Sequence, residues 1–262
     1  MENQTLSIIA QPNTDSSANP REHSFPPRAG SLATTRPALQ PTRAAEIPVR
    51  NGTLPAELSV PLGAVGIVLF AHDSGNSWHN GRSQKAAQAM QAAGIGTLLF
   101  DLLTEDEEAH EMQPQQLSSD VSLLANRLGE ATFWLHRECD TWDKTIGYFG
   151  AGTGGAAALV AASKLGSDVG AIVISAGRPE LAAAGILSRI KAPTLLIVGE
   201  RDRAALNSNE SALRQLRGKR ELRVVPRAAD LCEEPEALEK ATQLAVDWFG
   251  RHLASNSLAK SF

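Results

Sequence analysis

The chain has 262 residues, of which 42% are hydrophobic and 21% are charged, and its formal net charge is −4. This balance is typical of a soluble globular domain, and the charge gives no reason to expect nucleic acid or an anionic membrane as partner. The two cysteines, Cys139 and Cys232, lie far apart in the chain. Their spacing argues against a disulfide framework or a zinc site and favours a reducing, cytoplasmic location. The apolar runs are too short to span a bilayer, and no secretory signal opens the chain.

Residues 1–45 differ in composition from the rest of the chain. They contain six of the fourteen prolines, four arginines, many Ser and Thr, and little apolar sequence. Such a segment cannot bury enough surface to offset the entropy of ordering it, so the sequence predicts a disordered N-terminal tail. An organelle-targeting segment is the alternative interpretation. One domain is predicted over residues 46–254, followed by a short tail over 255–262.

Strands and helices alternate through the predicted domain. A hairpin opens it, with strands at Ile47–Arg50 and Leu54–Pro61 and a turn at Asn51-Gly52. The runs that follow are apolar on both faces, as parallel strands covered by helices require. These predicted strands are Gly66–Ala71, Gly96–Asp101, Thr145–Gly150, Ala171–Ser175 and Thr194–Gly199, with the more polar Leu222–Pro226 as an edge strand.

Five helices are predicted between and after these strands: Arg82–Ala93, Ser118–Arg137, Thr153–Leu165, Asn207–Leu216 and Pro235–Leu253. In the second helix the leucines at 123, 124, 128 and 135 form a buried stripe that Phe133 and Trp134 extend. The whole pattern predicts an α/β fold with a doubly wound, mainly parallel sheet and antiparallel N-terminal strands.

Ligands of doubly wound sheets bind at the carboxyl ends of the strands, which makes the turns after each strand informative. Four of these turns are His72-Asp73-Ser74-Gly75, Gly150-Ala151-Gly152-Thr153-Gly154, Gly199-Glu200-Arg201-Asp202 and Arg227-Ala228-Ala229-Asp230. Together they resemble the α/β-hydrolase superfamily, in particular the small dienelactone hydrolase-like proteins that have no large lid. The resemblance covers about residues 47 to 253.

The resemblance implies an ester or lactone hydrolase with a Ser-His-Asp triad. In that family the second of these turns reads G-x-S-x-G and carries the serine nucleophile, and the next N–H helps to form the oxyanion hole. Here Asp202 occupies the acid position, 50 residues after Gly152, and Asp230 stands at the histidine position, 28 residues further on. Thr153 and the loop with Ser74 match the oxyanion donors.

Two of the three triad positions depart from the family pattern. Gly152 has no side chain with which to attack a substrate, and Asp230 provides no imidazole. The expected outcome is a degenerate triad, a pseudoenzyme that binds a small molecule in the former cleft or a protein partner, with no cofactor. Homo-oligomers and a purely structural role stay open. A hydrolase acting through non-standard residues is the runner-up hypothesis, and an engineered Ser-to-Gly exchange would explain Gly152 but not Asp230.

A different class of protein also matches this glycine pattern. Gly150, Gly152 and Gly155 satisfy the G-x-G-x-x-G form of dinucleotide-binding loops. The next strand, Ala171–Ser175, does not end in the acidic residue that would hold a ribose, and an opening hairpin precedes the first parallel strand. The match is therefore weak.

Several other residues have both a functional and a structural interpretation. The Thr153 hydroxyl caps a helix on the structural interpretation. Ser74 and Ser175 are hydroxyls at strand ends, and His72 is either a spare base or a residue that holds its loop. Arg178 binds an anion or fixes its loop.

Asp230 either hydrogen-bonds the backbone in a turn or faces Asp202, where two carboxylates raise each other's proton affinity or attract a cation. No further metal ligands are predicted. Cys232 is expected to be a buried apolar residue rather than a nucleophile.

Overall fold

The computed structural model describes residues 42–72, 79–109, 120–231 and 233–259, with side chains described as far as residue 254. One eight-stranded sheet has the order β1-β2-β4-β3-β5-β6-β7-β8. Its strands are β1 Arg43–Val49, β2 Gly52–Ser59, β3 Ile67–Ala71, β4 Gly96–Phe100, β5 Ile146–Ala151, β6 Val169–Gly177, β7 Thr194–Gly199 and β8 Arg220–Val225. The first two strands pair antiparallel, as does β2 with β4, and all later pairs are parallel.

Helices cover both faces of this sheet. Those in the described residues are α1 Gly81–Ala92, α2 Glu105–Ala109, α3 Val121–Leu135, α4 Gly152–Leu165, α5 Arg203–Gln215 and α6 Pro235–Ala259. Buried side chains of α3, α4 and α5 form one core cluster with one face of the sheet. Buried side chains of α1 and α6, including Met90, Trp248 and Phe249, form a second cluster with the other face. This is the predicted doubly wound α/β-hydrolase fold, and no large lid domain occurs in its described part.

The central strands are apolar on both faces because both faces are covered. Every residue of β3, β4 and β7 is buried, whereas most residues of β8 are not. The more polar composition of β8 therefore fits its place at the edge of the sheet, as predicted. No helix among the described residues is long and apolar enough to cross a membrane.

Four details differ from the sequence-based expectations. The hairpin turn lies one residue earlier than predicted, at Arg50 and Asn51, because Val49 already pairs with Gly52. The prediction that Phe133 extends the buried stripe of α3 is wrong: its side chain is 53% exposed. Within the described residues, which exclude 1–41, the first strand begins at Arg43, inside the predicted tail, and α6 continues past 254.

The fourth difference is the short helix α2, which the apolar pattern did not predict. Its first turn has reciprocal hydrogen bonds: the Thr104 N–H donates to Glu107 Oε2 over 2.9 Å, and the Glu107 N–H donates to Thr104 Oγ1 over 3.2 Å. This is a capping box. Arg127 of α3 then pairs with Glu107 at 2.6 Å and is itself almost fully buried. An ion pair and a cap, rather than an apolar face, thus stabilise α2.

Candidate active site

A cavity of about 640 Å³ lies where the carboxyl ends of the parallel strands meet. Residues from five strand ends and from the start of α1 line it. They include His72 after β3, Ser83 in α1, Ala151 and Gly152 at the end of β5, Ser175–Arg178 at the end of β6, Asp202 after β7, and Ala229–Leu231 after β8. The three triad positions predicted from the sequence, Gly152, Asp202 and Asp230, therefore share one cavity.

The turn from β5 into α4 has the backbone of a nucleophile elbow. Ala151 is extended, with φ −128° and ψ 150°, and Gly152 at the first position of α4 has φ +51°. The Gly152 carbonyl accepts a hydrogen bond of 3.0 Å from the Arg178 N–H, which ties the turn to the end of β6. A positive φ strains any residue with a side chain, and an elbow serine bears that strain in order to expose its hydroxyl. Glycine removes both the strain and the hydroxyl.

The other glycines of this turn allow α4 to pack closely against the sheet. A Cβ on Gly154 would lie 2.3 Å from the Ala71 carbonyl oxygen of β3, and one on Gly150 would lie 2.7 Å from the Gly155 Cα. Backbone atoms occupy both places, so no larger residue fits without a shift of the backbone. Close packing and the elbow conformation therefore account for the glycines that also match a dinucleotide-binding loop.

Asp202 begins α5 and serves as its N-cap. Its Oδ1 accepts a hydrogen bond of 2.9 Å from the Ala205 N–H, and the residue is half-buried at the cavity wall. A carboxylate in this position also interacts favourably with the positive end of the helix. The structure thus gives Asp202 a structural partner at the acid position, and its role as a catalytic acid stays a prediction.

Asp230 lies in a hydrogen-bonded turn before α6. Its Oδ1 accepts from the Glu233 N–H over 3.1 Å, while the N–H groups of Ala229 and Asp230 donate to Glu234 Oε1 over 2.8 and 3.1 Å. These backbone donors, first that of Asp230 and then that of Ala229, hold the pKa of Glu234 below its ordinary value. The exposed Asp230 therefore has the local backbone partner that its structural interpretation requires, although it also borders the cavity.

The remaining predicted residues have different surroundings. Thr153 is buried in the first turn of α4, and Ser175 is buried at the end of β6 where it lines the cavity. Their roles as oxyanion donor and spare hydroxyl stay predictions. Ser74 and Cys232 lie outside the described residues, and Cys139 is an exposed free thiol.

Arg178 is engaged in its own loop at the cavity rim. Its Nε donates to Glu180 Oε1 over 3.3 Å, and Ser208 of α5 donates to the other carboxylate oxygen. Burial acts to raise the pKa of Glu180, but the hydrogen bonds from Ser208, its own backbone N–H and Arg178 outweigh burial and lower it. The partner Glu180 lies two residues further along the same loop, which favours the loop-fixing interpretation, although a pair with Arg178 58% exposed contributes little to stability.

His72 and Ser83 contact each other in the part of the cavity wall that the end of β3 and the start of α1 form. The Ser83 Oγ lies 3.4 Å from His72 Nδ1, and Nε2 of the same ring is buried without a hydrogen-bond partner among the described residues. Burial lowers the pKa of His72 from 6.5 to about 4. The imidazole is therefore neutral at neutral pH.

Ser83 was not among the residues predicted from the sequence. The sequence nevertheless carried a signal, because Asn80 caps α1 through a 3.0 Å hydrogen bond from the Arg82 N–H to its Oδ1. A helix that begins after the carboxyl end of a strand presents its first turn to the ligand edge of the sheet. Arg82 and Ser83 in that first turn both line the cavity.

A comparison with solved structures decides the family. Dienelactone hydrolase from Anabaena variabilis is 46% identical in sequence, with a TM-score of 0.78, and the match covers 82% of this chain and 98% of that one. The chain belongs to the dienelactone hydrolase family. No protein-family model matches it. Est1E from Butyrivibrio proteoclasticus, 12% identical with a TM-score of 0.62 and 79% and 98% coverage, shares the fold. So does the Pyrococcus furiosus esterase Pf2001, 16% identical with a TM-score of 0.63 and 81% and 93% coverage.

Curated relatives from two strains of Mycobacterium tuberculosis are longer than this chain. Each is 46% identical over 235 residues, which make up 89% of this chain but 52% of the relative. The chain thus spans about half the length of the curated relatives it matches. Both relatives are named "Putative phosphoribosyl transferase".

Proposed function

We propose that this member of the dienelactone hydrolase family binds a small molecule in the 640 Å³ cavity and has lost the serine mechanism of its family. The observation that carries the proposal is the elbow itself. Gly152 has the positive φ of a nucleophile position and lines the cavity, but it has no side chain. A cavity of this volume suits a small ligand.

The histidine position supports the same conclusion. Asp230 cannot act as an imidazole base, and its carboxylate bonds the backbone of the next turn. A serine nucleophile needs a general base that is oriented by a third group, so two losses remove the mechanism more completely than one. Loss of the serine alone costs about 10⁶-fold in a well-studied serine hydrolase, and further losses add little.

Ligand binding and turnover are measured separately to test this proposal. Small lactones and carboxylic esters are titrated by calorimetry, and p-nitrophenyl ester hydrolysis is followed in parallel. Ala204 and Asn207 are both exposed on α5, but only Ala204 lines the cavity. We expect Ala204→Trp to weaken binding at least about tenfold, a loss near 1.4 kcal/mol, while Asn207→Trp leaves binding unchanged.

Two results would contradict the proposal. A turnover number in the ordinary enzyme range of about 1–10³ s⁻¹ would show that the family mechanism, or a substitute for it, is intact. Equal binding by the Ala204→Trp and Asn207→Trp variants would show that the ligand does not occupy this cavity.

We propose, as a second candidate function, that the chain associates with a phosphoribosyl transferase. The match leaves about half of each Mycobacterium tuberculosis relative uncovered, while one hydrolase-type fold accounts for the described residues of this chain. We therefore assign the phosphoribosyl transferase activity in the relatives' name to the half that this chain does not cover. Covalent fusion in a relative raises the local concentration of two domains that act together.

Co-expression tests this second candidate. This chain is produced with the uncovered half of the Mycobacterium tuberculosis relative, and the mixture is analysed by size-exclusion chromatography with light scattering. We expect a complex containing both chains, and phosphoribosyl transfer by the relative's half alone. Separate elution would contradict the association, and transfer by this chain alone would contradict the assignment of the activity to the other half.

A further inference from the structure

The cavity wall formed by the end of β3 and the start of α1 has a hydroxyl and an imidazole that belong to none of the triad positions. His72 is the first residue after β3, and Ser83 belongs to the first turn of α1. The Ser83 Oγ lies 3.4 Å from His72 Nδ1, and both residues line the cavity. We propose that Ser83 is a second nucleophile of this protein, with His72 as its base, for acyl transfer from small activated esters.

The orientation of the imidazole fits a base. With Nδ1 toward the hydroxyl, the neutral ring accepts the Ser83 proton there and carries its own proton on Nε2. The ring also borders a second, much smaller space, of about 10 Å³, that Asp101 and Glu108 border as well. Nε2 itself has no hydrogen-bond partner among the described residues, so the ring acts without the orienting acid of a triad, which favours a slow step.

The surroundings of Ser83 favour negative charge. The first turn of the 12-residue helix α1 has N–H groups without intrahelical partners, and its dipole attracts anions. Arg82, next to Ser83 in the same turn, lines the cavity and forms no ion pair within the described part of the chain. A guanidinium and a helix N-terminus are groups that would favour the oxyanion formed when the Ser83 hydroxyl attacks a carbonyl.

The proposed step balances without a further reactant. Ser83 Oγ attacks the ester carbonyl carbon as its proton passes to His72 Nδ1. The bond from that carbon to the leaving alkoxide or phenolate breaks, and the leaving group departs with the proton from Nδ1 or releases it to water. The product is an acyl ester on Ser83. We expect this step to be slow, because a buried imidazole of low basicity removes protons weakly.

This reactivity goes beyond the proposed function, which concerns binding and the loss of the elbow mechanism. Each of the two proposals can also be contradicted without contradicting the other. Loss of ligand binding by Ala204→Trp concerns the cavity as a whole, whereas acylation at one serine concerns only the pair at the end of β3 and α1.

The full chain is incubated with p-nitrophenyl acetate, and nitrophenolate release, intact mass and peptide mapping are measured. We expect one acetyl group per chain, located on Ser83. Ser83→Ala abolishes this adduct, and His72→Ala slows its formation at least tenfold, whereas Ser122→Ala, an exposed serine of α3, changes neither. Imidazole added to His72→Ala restores acetylation, which a purely structural role of His72 does not predict.

Four results would overturn the proposal: an acetyl group on another residue such as Ser175, the absence of any adduct, an unchanged rate in Ser83→Ala, or no rescue by imidazole. Should His72→Ala fail to fold, His72→Gln and His72→Asn are measured instead. Slow acetylation of Ser83 in these folded variants supports the proposal, and an unchanged rate contradicts it.

Discussion

The elbow between β5 and α4 and the loop between β8 and α6 border the same cavity, but different interactions hold them in place. The elbow keeps its backbone, with Gly152 at φ +51° and its carbonyl bonded to the Arg178 N–H, and lacks only a side chain. The loop has an internal set of hydrogen bonds among Ala229, Asp230, Glu233 and Glu234. One region has the backbone of an elbow with no side chain on it, while the other uses its side chains for local structure.

This difference has a cause in packing. The elbow cannot change its backbone cheaply, because α4 lies against β3 and β5 with no room for side chains at Gly150 and Gly154. The loop before α6 is exposed at Ala229 and Asp230 and is free to exchange one set of hydrogen bonds for another. Close packing therefore fixes the backbone of the elbow more firmly than that of the loop.

The largest expected effect comes from disrupting the close packing of Gly154 of α4 against β3, which holds the elbow in place. In Gly154→Ala the new Cβ would lie 2.3 Å from the Ala71 carbonyl oxygen, and a strand backbone in the centre of a sheet cannot yield easily. We expect the free energy of unfolding to fall by at least about 3 kcal/mol.

Chemical denaturation measures this loss, and Gly129 provides the matched control. It lies in α3 with no atom within 4 Å of an added Cβ, so Gly129→Ala should stabilise by about 0.5–1 kcal/mol. Equal stability of the two alanine variants would show that the elbow is not held by this packing.

The next effect concerns the buried imidazole of His72, whose protonation makes the stability of the fold depend on pH. Because burial lowers its pKa from 6.5 to about 4, the unfolded chain binds a proton in this window while the folded protein does not. Stability should therefore fall as the pH drops from about 6.5 to about 4, and His72 should contribute roughly 3 kcal/mol to this fall. The charged groups that border the same two spaces are Arg82, Asp101, Glu108, Arg178, Glu180, Asp202, Asp230 and Glu233.

The contribution is measured as the difference in pH dependence between the wild-type protein and His72→Gln. His252 also has a pKa lowered chiefly by burial, but it is present in both proteins, so its effect cancels. Parallel curves between pH 4 and 6.5 would show that His72 titrates normally and is not buried as described.

The fold could be predicted from the sequence because it depends on patterns that close packing enforces. Short continuous apolar runs are typical of strands covered on both faces, and Gly150 and Gly154 mark where a helix approaches a strand closely. The pairing of His72 with Ser83 could not be predicted in the same way. It depends on how closely the start of α1 approaches the end of β3, and no periodicity in the sequence records that approach.

The third prediction rebuilds both regions at once. Gly152→Ser places a hydroxyl at the elbow at a cost of about 1–2 kcal/mol for its positive φ. Asp230→His supplies an imidazole in the family's chain order, with Asp202 at the acid position. We expect the double variant to hydrolyse p-nitrophenyl esters at least about 100-fold faster than either single variant, because a serine without a base and a base without a serine both fall short.

Steady-state assays are made in a Ser83→Ala background, so that reactivity at Ser83 does not contribute. A folded but inert double variant would show that the loop before α6 no longer directs residue 230 toward the elbow. Comparable gains from each single variant would contradict the requirement for both groups.

The smallest expected effect tests the loop alone. The Asp230 carboxylate accepts the Glu233 N–H in the turn before α6, as an asparagine side chain also can. Asp230→Ala should therefore lower the free energy of unfolding by roughly 0.5–1 kcal/mol, while Asp230→Asn should leave it nearly unchanged. Equal losses in both variants would assign the effect to charge rather than to the turn. No loss in either would mean that the hydrogen bond contributes little, in which case Asp230→His has little local structure to disrupt and the third prediction becomes easier to meet.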